Sequence, residues 1–317
     1  MKSARRSAYL KRKERKSLPS LWRKRFILPI LGLFLILIAF LVVILNKHFW
    51  DGRNKFAFVF PDGNGNVGVT VLDPETDEMT TLVIPGDTEV LLAMNYGTMR
   101  IKNVWQLGLN EKLGGQILVK TIAKNFSFPV FLWSDELGRS IGKSNMSNLF
   151  KFVFFPKMTN ISLGDRVSIA LYSLKVKNLD KTEIDLAKSQ FVVKRTLTDG
   201  KSGFIIPGET SGRLTVYFSD NDFIKPALTG KNIKIYIIDS TGRPDISQEV
   251  GRIFEVMGGK VVSIDKSQGV RGFGCETSGR DKGLVKKVIN LLGCKAVNEE
   301  TDFDLEVKLG SEFPKTF

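Results

Sequence analysis

Residues 55–84, KFAFVFPDGNGNVGVTVLDPETDEMTTLVI, hold three short runs rich in β-branched and aromatic residues, FAFVF, VGVTVL and TTLVI, separated by two polar stretches. PDGNGN carries the Asp-Gly and Asn-Gly pairs that supply positive φ to hairpin turns, and DPETDEM is a second polar turn. Runs of this length between such turns predict an antiparallel meander that opens a sheet. The glycines of PDGNGNVG therefore read as hairpin punctuation, and with no GxxxxGK[ST] loop in the chain nucleotide binding of the usual kinds has no support.

Downstream, IPGDTEV and RIKNVWQLG lead to a stretch in which Ile117, Leu118, Thr121, Ile122 and Phe126 recur at helical spacing, followed by the strand-like PVFLW at 129–133. Strand, helix, strand predicts an α/β arrangement. Between 136 and 230, RVSIALYSL, SQFVVKRTL and GRLTVYF, parted by polar turns, predict further strands. From 232 the pattern sharpens. IKIYIID is a strand, and Asp245 with Gln248 three positions on resembles a capping box. Ile246, Val250, Ile253, Phe254 and Met257 mark a helix stopped by Gly258 and Gly259, and KVVSI returns as a strand. A second unit follows with GFGCETS, a helix over 280–292 stopped by Gly293, and DLEVKL. The order βαββαβ predicts a small two-layer domain.

Upstream, Phe26 to Leu45 read FILPILGLFLILIAFLVVIL without a charge, long enough as a helix to cross a hydrocarbon core about 30 Å thick. The 25-residue leader carries eleven basic side chains against one acid, Glu14, and so holds +10 of the chain's formal +14. Basic flanks stay on the cytoplasmic side, which makes the expected protein single-pass, N-terminus inside, with everything after the span extracytoplasmic. The run exceeds the apolar core of a cleaved signal and ends without a small-x-small site. Insertion alone explains the basic block, so no nucleic-acid partner is expected. The expected organisation is a cytoplasmic tail (1–25), a membrane helix (26–45), a linker (46–54) with Phe49 and Trp50 at the interface, an α/β region (55–230) and the βαββαβ domain (231–317).

Composition removes reaction classes. The one histidine is His48, and the cysteines are Cys275 and Cys294. The expected folded region from residue 55 onward has no imidazole base for a serine or cysteine nucleophile and no ligand set for catalytic zinc, which leaves only a hard, carboxylate-held ion such as magnesium. Cys275 and Cys294 share one module, either as a disulfide or as two buried thiols. Asn125, Asn145 and Asn160 each begin an N-x-[ST] sequon, weak evidence of glycosylation in a chain rich in Asn and Ser.

The order VLDPETDEMTTLVIPGDTEV, RIKNVWQLG, GGQILVKTIAKNFSFPVFLW resembles the first half of a LytR/CpsA/Psr domain, over about residues 55–135. Members of that family are single-pass envelope proteins that move glycopolymers from a polyprenyl-pyrophosphate lipid to the cell wall with magnesium, arginines and aspartates. The DSTG turn at 239–242 and the terminal LEVKLGSEF resemble the LytR C-terminal domain, an accessory binding module. Asp87 and Thr88 match the family pattern, but Gly86 stands where the resemblance implies a pyrophosphate-gripping arginine. Of an acid–base pair expected near 61–70 only Asp62 remains, and the later Arg/Asp-rich motif has no evident counterpart over 136–230. Asp87, Arg100 and Lys102 are then a vestigial anion or metal site, with no catalytic residue assigned. The expectation is a non-catalytic envelope protein, bound to the membrane and without cofactor, that binds a wall polymer or an envelope partner. The alternative is a divergent transferase that uses magnesium.

Overall fold

The β1–β2–β3 meander follows from its turns. In the computed structural model, β1 (Phe56–Pro61), β2 (Val67–Asp73) and β3 (Glu78–Ile84) pair antiparallel, with Val59 opposite Val69 and Val69 opposite Leu82. The first turn closes through Asp62 N to Asn66 O at 2.7 Å and Gly65 N to Asp62 O at 2.9 Å, with Gly65 at φ +81°, where a side chain would be strained. The structure describes residues 49–143, 145–207, 233–267 and 272–317, together with Gly32, Phe34, Ile36 and Ile38, which are helical. Apart from those four positions the expected membrane helix lies outside the described residues, as does the expected strand GRLTVYF. Among the described residues no helix is long and apolar enough to cross a membrane.

β4 (Glu89–Leu91) and β5 (Thr98–Arg100) form a hairpin, followed by α1 (Val104–Asn110) and α2 (Gln116–Phe126). Of PVFLW, only β6 (Leu132–Trp133) pairs, parallel to β1. A 3-10 turn, Glu136–Arg139, leads to α3 (Met146–Phe154) and α4 (Leu163–Lys175). RVSIALYSL, expected as a strand, is thus the body of α4. Ser162 caps it, its Oγ accepting from Asp165 N at 3.1 Å, while Ile169, Ala170, Tyr172 and Ser173 are buried at helical spacing. The weak β-preference of such residues yields to a cap and a buried helical face. β7 (Lys181–Asp185) pairs parallel to β3 and completes a sheet of order β6-β1-β2-β3-β7. From SQFVVKRTL only the exposed β8 (Val193–Thr196) forms, in a hairpin with β9 (Ser202–Ile205).

The second sheet has the order β11-β10-β14-β12-β13. It contains β10 (Ile233–Asp239), α5 (Ile246–Val256), β11 (Gly259–Lys266), β12 (Cys275–Ser278), α6 (Lys282–Leu292), β13 (Lys295–Ala296) and β14 (Leu305–Leu309), followed by a short α7 (Phe313–Thr316). The two-residue β13 is an addition to the expected βαββαβ order. The capping box does not form: Asp245 is helical at φ −101°, ψ −19° and makes no side-chain cap bond. α6 is capped at both ends, by Asp281 accepting from Gly283 and Leu284 and by Gly293 at φ +79°. A disulfide joins Cys275 at the start of β12 to Cys294 just past α6.

Phe49 and Trp50, expected in a linker, belong to the fold. Their amides donate to the Asp165 carboxylate at 2.9 and 3.0 Å, and Trp50, 4% exposed, stacks on Phe56 and meets Tyr172 edge-on. Residues 49–317 form one compact unit. The expected boundary near 230 is bridged at the C-terminus, where Phe313 and Phe317 are fully buried and Lys120 Nζ donates to Thr316 O at 2.7 Å. Burial pushes the Lys120 ammonium down to about 8. The unfolded chain therefore holds this proton to higher pH than the folded one does, and stability rises with pH between about 8 and 10.5, by roughly 3 kcal/mol. Denaturant unfolding across that window should show a steeper rise in the unmodified protein than in Lys120→Met, which keeps only the share of the other lysines that burial lowers, Lys124, Lys181 and Lys287; equal pH profiles for the two would refute the assignment.

Candidate functional site

The loop 85–88 and the end of β5 bring three of the residues singled out in the sequence together. Thr88 accepts from Ile101 N at 2.9 Å and Gly86 O accepts from Lys102 N at 3.1 Å, which sets Asp87 beside both cations. Asp87 Oδ1 lies 2.7 Å from Lys102 Nζ and 2.8 Å from Arg100 Nη1. A fourth member, Asp199, comes from the β8–β9 turn. It takes Arg100 Nε at 2.8 Å and Nη2 at 3.1 Å, while the two Nη groups also reach Ser202 O at 3.4 and 3.3 Å.

Two cations and two carboxylates sum to zero. The bonds from Lys102 and then Arg100 hold the Asp87 carboxyl below its ordinary range, and Arg100, with the Lys201 amide, brings Asp199 down to about 2. Reciprocally, Asp199 and then Asp87 raise the Arg100 guanidinium. Its Nε and both Nη groups are committed, and its side chain is only 12% exposed. A pyrophosphate needs convergent donors with room between them; here the fork is already closed on carboxylates. Nor does the set fit a magnesium ion at Asp87, because a hard cation would have to displace two ammonium-type partners. Among the described residues no three carboxylate, histidine or cysteine side chains gather as a metal site.

Gly86 is where the fold leaves no room for an arginine. Its amide donates to Asn66 Oδ1 at 2.9 Å, and a Cβ placed on it would stand 2.3 Å from Gly65 O and 3.2 Å from Lys102 Cβ. The β1–β2 turn thus occupies the space a side chain at 86 would need.

A second polar pair was not evident in the sequence as a pair. Asp62, expected to be without its basic partner, is paired with Arg139, 77 residues on, within the stretch in which no counterpart was found. The carboxylate is buried and the guanidinium a third exposed. Asp135 positions Arg139 by capping the 3-10 turn, accepting from Leu137 N at 3.1 Å, and pins the return of the chain by accepting from Lys157 N. Only the D-E-L-G-R spacing hinted at this turn.

Beside this pair opens a cavity of about 600 Å³. Pro61, Trp105, Leu109, Leu137 and Met158 give it an apolar wall, Phe150 and Phe155 stand in its lining, and Lys151, Lys157, Asp135 and Glu136 add charge of both signs. Its size and lining suit an apolar ligand with one charged end.

No protein-family model matches this chain, and no curated protein does. Among solved structures, Bacillus subtilis TagT aligns at 14% identity over 53% of this chain and 91% of its own, with a TM-score of 0.38. Bacillus subtilis TagV aligns at 11% identity over 52% and 95%, TM-score 0.36, and Lin1025 of Listeria innocua at 13% over 53% and 97%, TM-score 0.37. TagT, described as a LytR-CPS2A-psr family protein, has also been solved with octaprenyl pyrophosphate lipid and with LIIa-WTA. These neighbours cover about half the chain, and scores this low transfer no site residue from them.

The geometry at Gly86 makes a test. Gly86→Ala should lower stability by about 1–3 kcal/mol, because Gly65 O is rigid backbone and cannot swing aside as a side chain would. Thermal unfolding decides: an unchanged midpoint would show that the turn does not pack on the loop.

Proposed function

We propose that this chain is a membrane-tethered protein of the bacterial cell envelope that holds the lipid end of a lipid-linked wall glycopolymer and does not transfer it. The tether and its orientation rest on the apolar run 26–45 and the basic leader. The ligand class is the one that the sequence resemblance implies, and the cavity beside Asp62 and Arg139 has the size and apolar wall for an isoprenoid segment.

The observation that carries the non-catalytic reading is the closed state of Arg100. Transfer from a pyrophosphate needs donors aimed at the leaving charge, and loss of one such donor commonly costs about 10²- to 10³-fold in rate. Here Arg100 is spent on Asp87 and Asp199, Lys102 is paired with Asp87, and position 86 is blocked by backbone. One feature favours an active transferase instead: the Asp62–Arg139 ion pair, whose chain neighbours Pro61 and Leu137 line the cavity.

Trp105 lines the cavity and reports on its filling. With the full chain in detergent, a polyprenyl-pyrophosphate-linked glycopolymer should produce a saturable change in tryptophan emission that is lost in Leu109→Glu, which puts a charge in the apolar wall. No polymer should reach an acceptor, with or without magnesium. Transfer by the unmodified protein that disappears in Asp62→Ala or Arg139→Ala would overturn the non-catalytic reading, and absence of binding would overturn the ligand.

A further inference from the structure

α3, MSNLFKFVF, is apolar on two sides. Leu149, Phe152 and Val153 face the core and are buried, while Met146, Phe150 and Phe154, spaced by four, are 67%, 56% and 53% exposed, and Phe155 just beyond is 65% exposed. The outer rings cluster on one another, with centroids 4.8 Å apart for Phe150 and Phe154 and 5.9 Å for Phe150 and Phe155. Lysines interleave with them: Lys151 and Lys157 flank the rings, Lys143 precedes the helix, and all three are exposed. An exposed aromatic cluster with a lysine border is the composition of a surface that enters the headgroup layer of an anionic bilayer, rings inward and ammonium groups on the phosphates.

Only residues 46–48 separate the apolar run from Phe49, a reach of about 10 Å when extended. Phe49 is fixed by Asp165, and the next residue, Arg166, donates through Nη1 to Val153 O at the end of α3. The start of the folded unit and the aromatic face are thus held together by adjacent side chains of α4.

We propose that the outer face of α3 docks on the outer leaflet of the membrane that anchors the chain. Phe150 and Phe155 also line the cavity, so docking sets its mouth against the bilayer and lets an acyl or isoprenoid chain pass from lipid into protein without crossing water. This inference rests on the tether proposed above; the occupant is the bilayer, and a second copy of the chain or a partner protein would leave the face untouched by lipid.

The full chain, reconstituted in vesicles of phosphatidylcholine and phosphatidylglycerol, is labelled with an environment-sensitive dye at one introduced cysteine, the native pair being bonded to each other. Ser147→Cys lies seven residues from Phe154, two turns away on the same face, and leaves every ring and lysine in place. His48→Cys reports the tether, and Lys260→Cys on the edge strand β11 is the control. Lipids spin-labelled near the headgroup should quench the dye at 147 and at 48 but not at 260. Adding Phe150→Ser and Phe154→Ser should abolish most of the quenching at 147 and leave that at 48. Quenching at 48 without quenching at 147 would overturn docking and leave the tether standing. Absence at both would overturn both, and quenching at 147 alone would remove the tether and with it the proposal that the face meets the anchoring membrane.

Discussion

Gly65 O rests against Gly86, and that one backbone contact decides what the neighbouring groups can do. It brings the β1–β2 turn down onto the loop that carries Asp87, with the Gly86 amide tied to Asn66 and the Gly86 carbonyl tied to Lys102. With no side chain at 86 and the turn in its place, Asp87 is answered, among the described residues, by Lys102 and Arg100. Asp199 then completes the neutralisation of Arg100. What would be an open, cationic pocket is instead a closed ion network at the surface, where such pairs add little stability but do use up hydrogen-bond donors.

The apolar cavity meets the same β1–β2 turn at Pro61, but the rest of its lining comes from α1, the 3-10 turn, α3 and the residues flanking them. Asp135 holds the 3-10 turn and the 157–158 backbone, Arg139 reaches back to Asp62, and α3 supplies the aromatic lining. A fold can therefore keep an apolar cavity while its charged site is closed. Two buried devices tie the unit together. Asp165 gathers the Phe49 and Trp50 amides and the Ser162 hydroxyl, satisfying a buried carboxylate with several donors, and α7 buries Phe313 and Phe317 against the first half of the chain.

Much of this was legible from local pattern. The meander, α2, and the strands and helices of the second sheet were marked by turn glycines and by apolar spacing, because their periods are set within a few residues. RVSIALYSL misled because period-2 and helical patterns overlap in a short apolar run, and the decision fell to the Ser162 cap and to packing. The ion partners were illegible for a different reason: Arg100 and Asp199 are 99 residues apart, and Asp62 and Arg139 are 77 apart, with nothing local to pair them. Phe150 to Met158, FKFVFFPKM, did carry a signal in its mixture of rings and lysines, but only the buried and exposed faces of α3 show which rings serve the core.

The central claim, that Arg100 and Lys102 are closed to a diphosphate, is tested most directly by titrating inorganic pyrophosphate into the full chain in a calorimeter at low salt, with and without magnesium. The account predicts no saturable heat in the unmodified protein, and its appearance in Asp87→Ala/Asp199→Ala, where the two cations are released. Saturable binding by the unmodified protein that disappears in Arg100→Ala would contradict it.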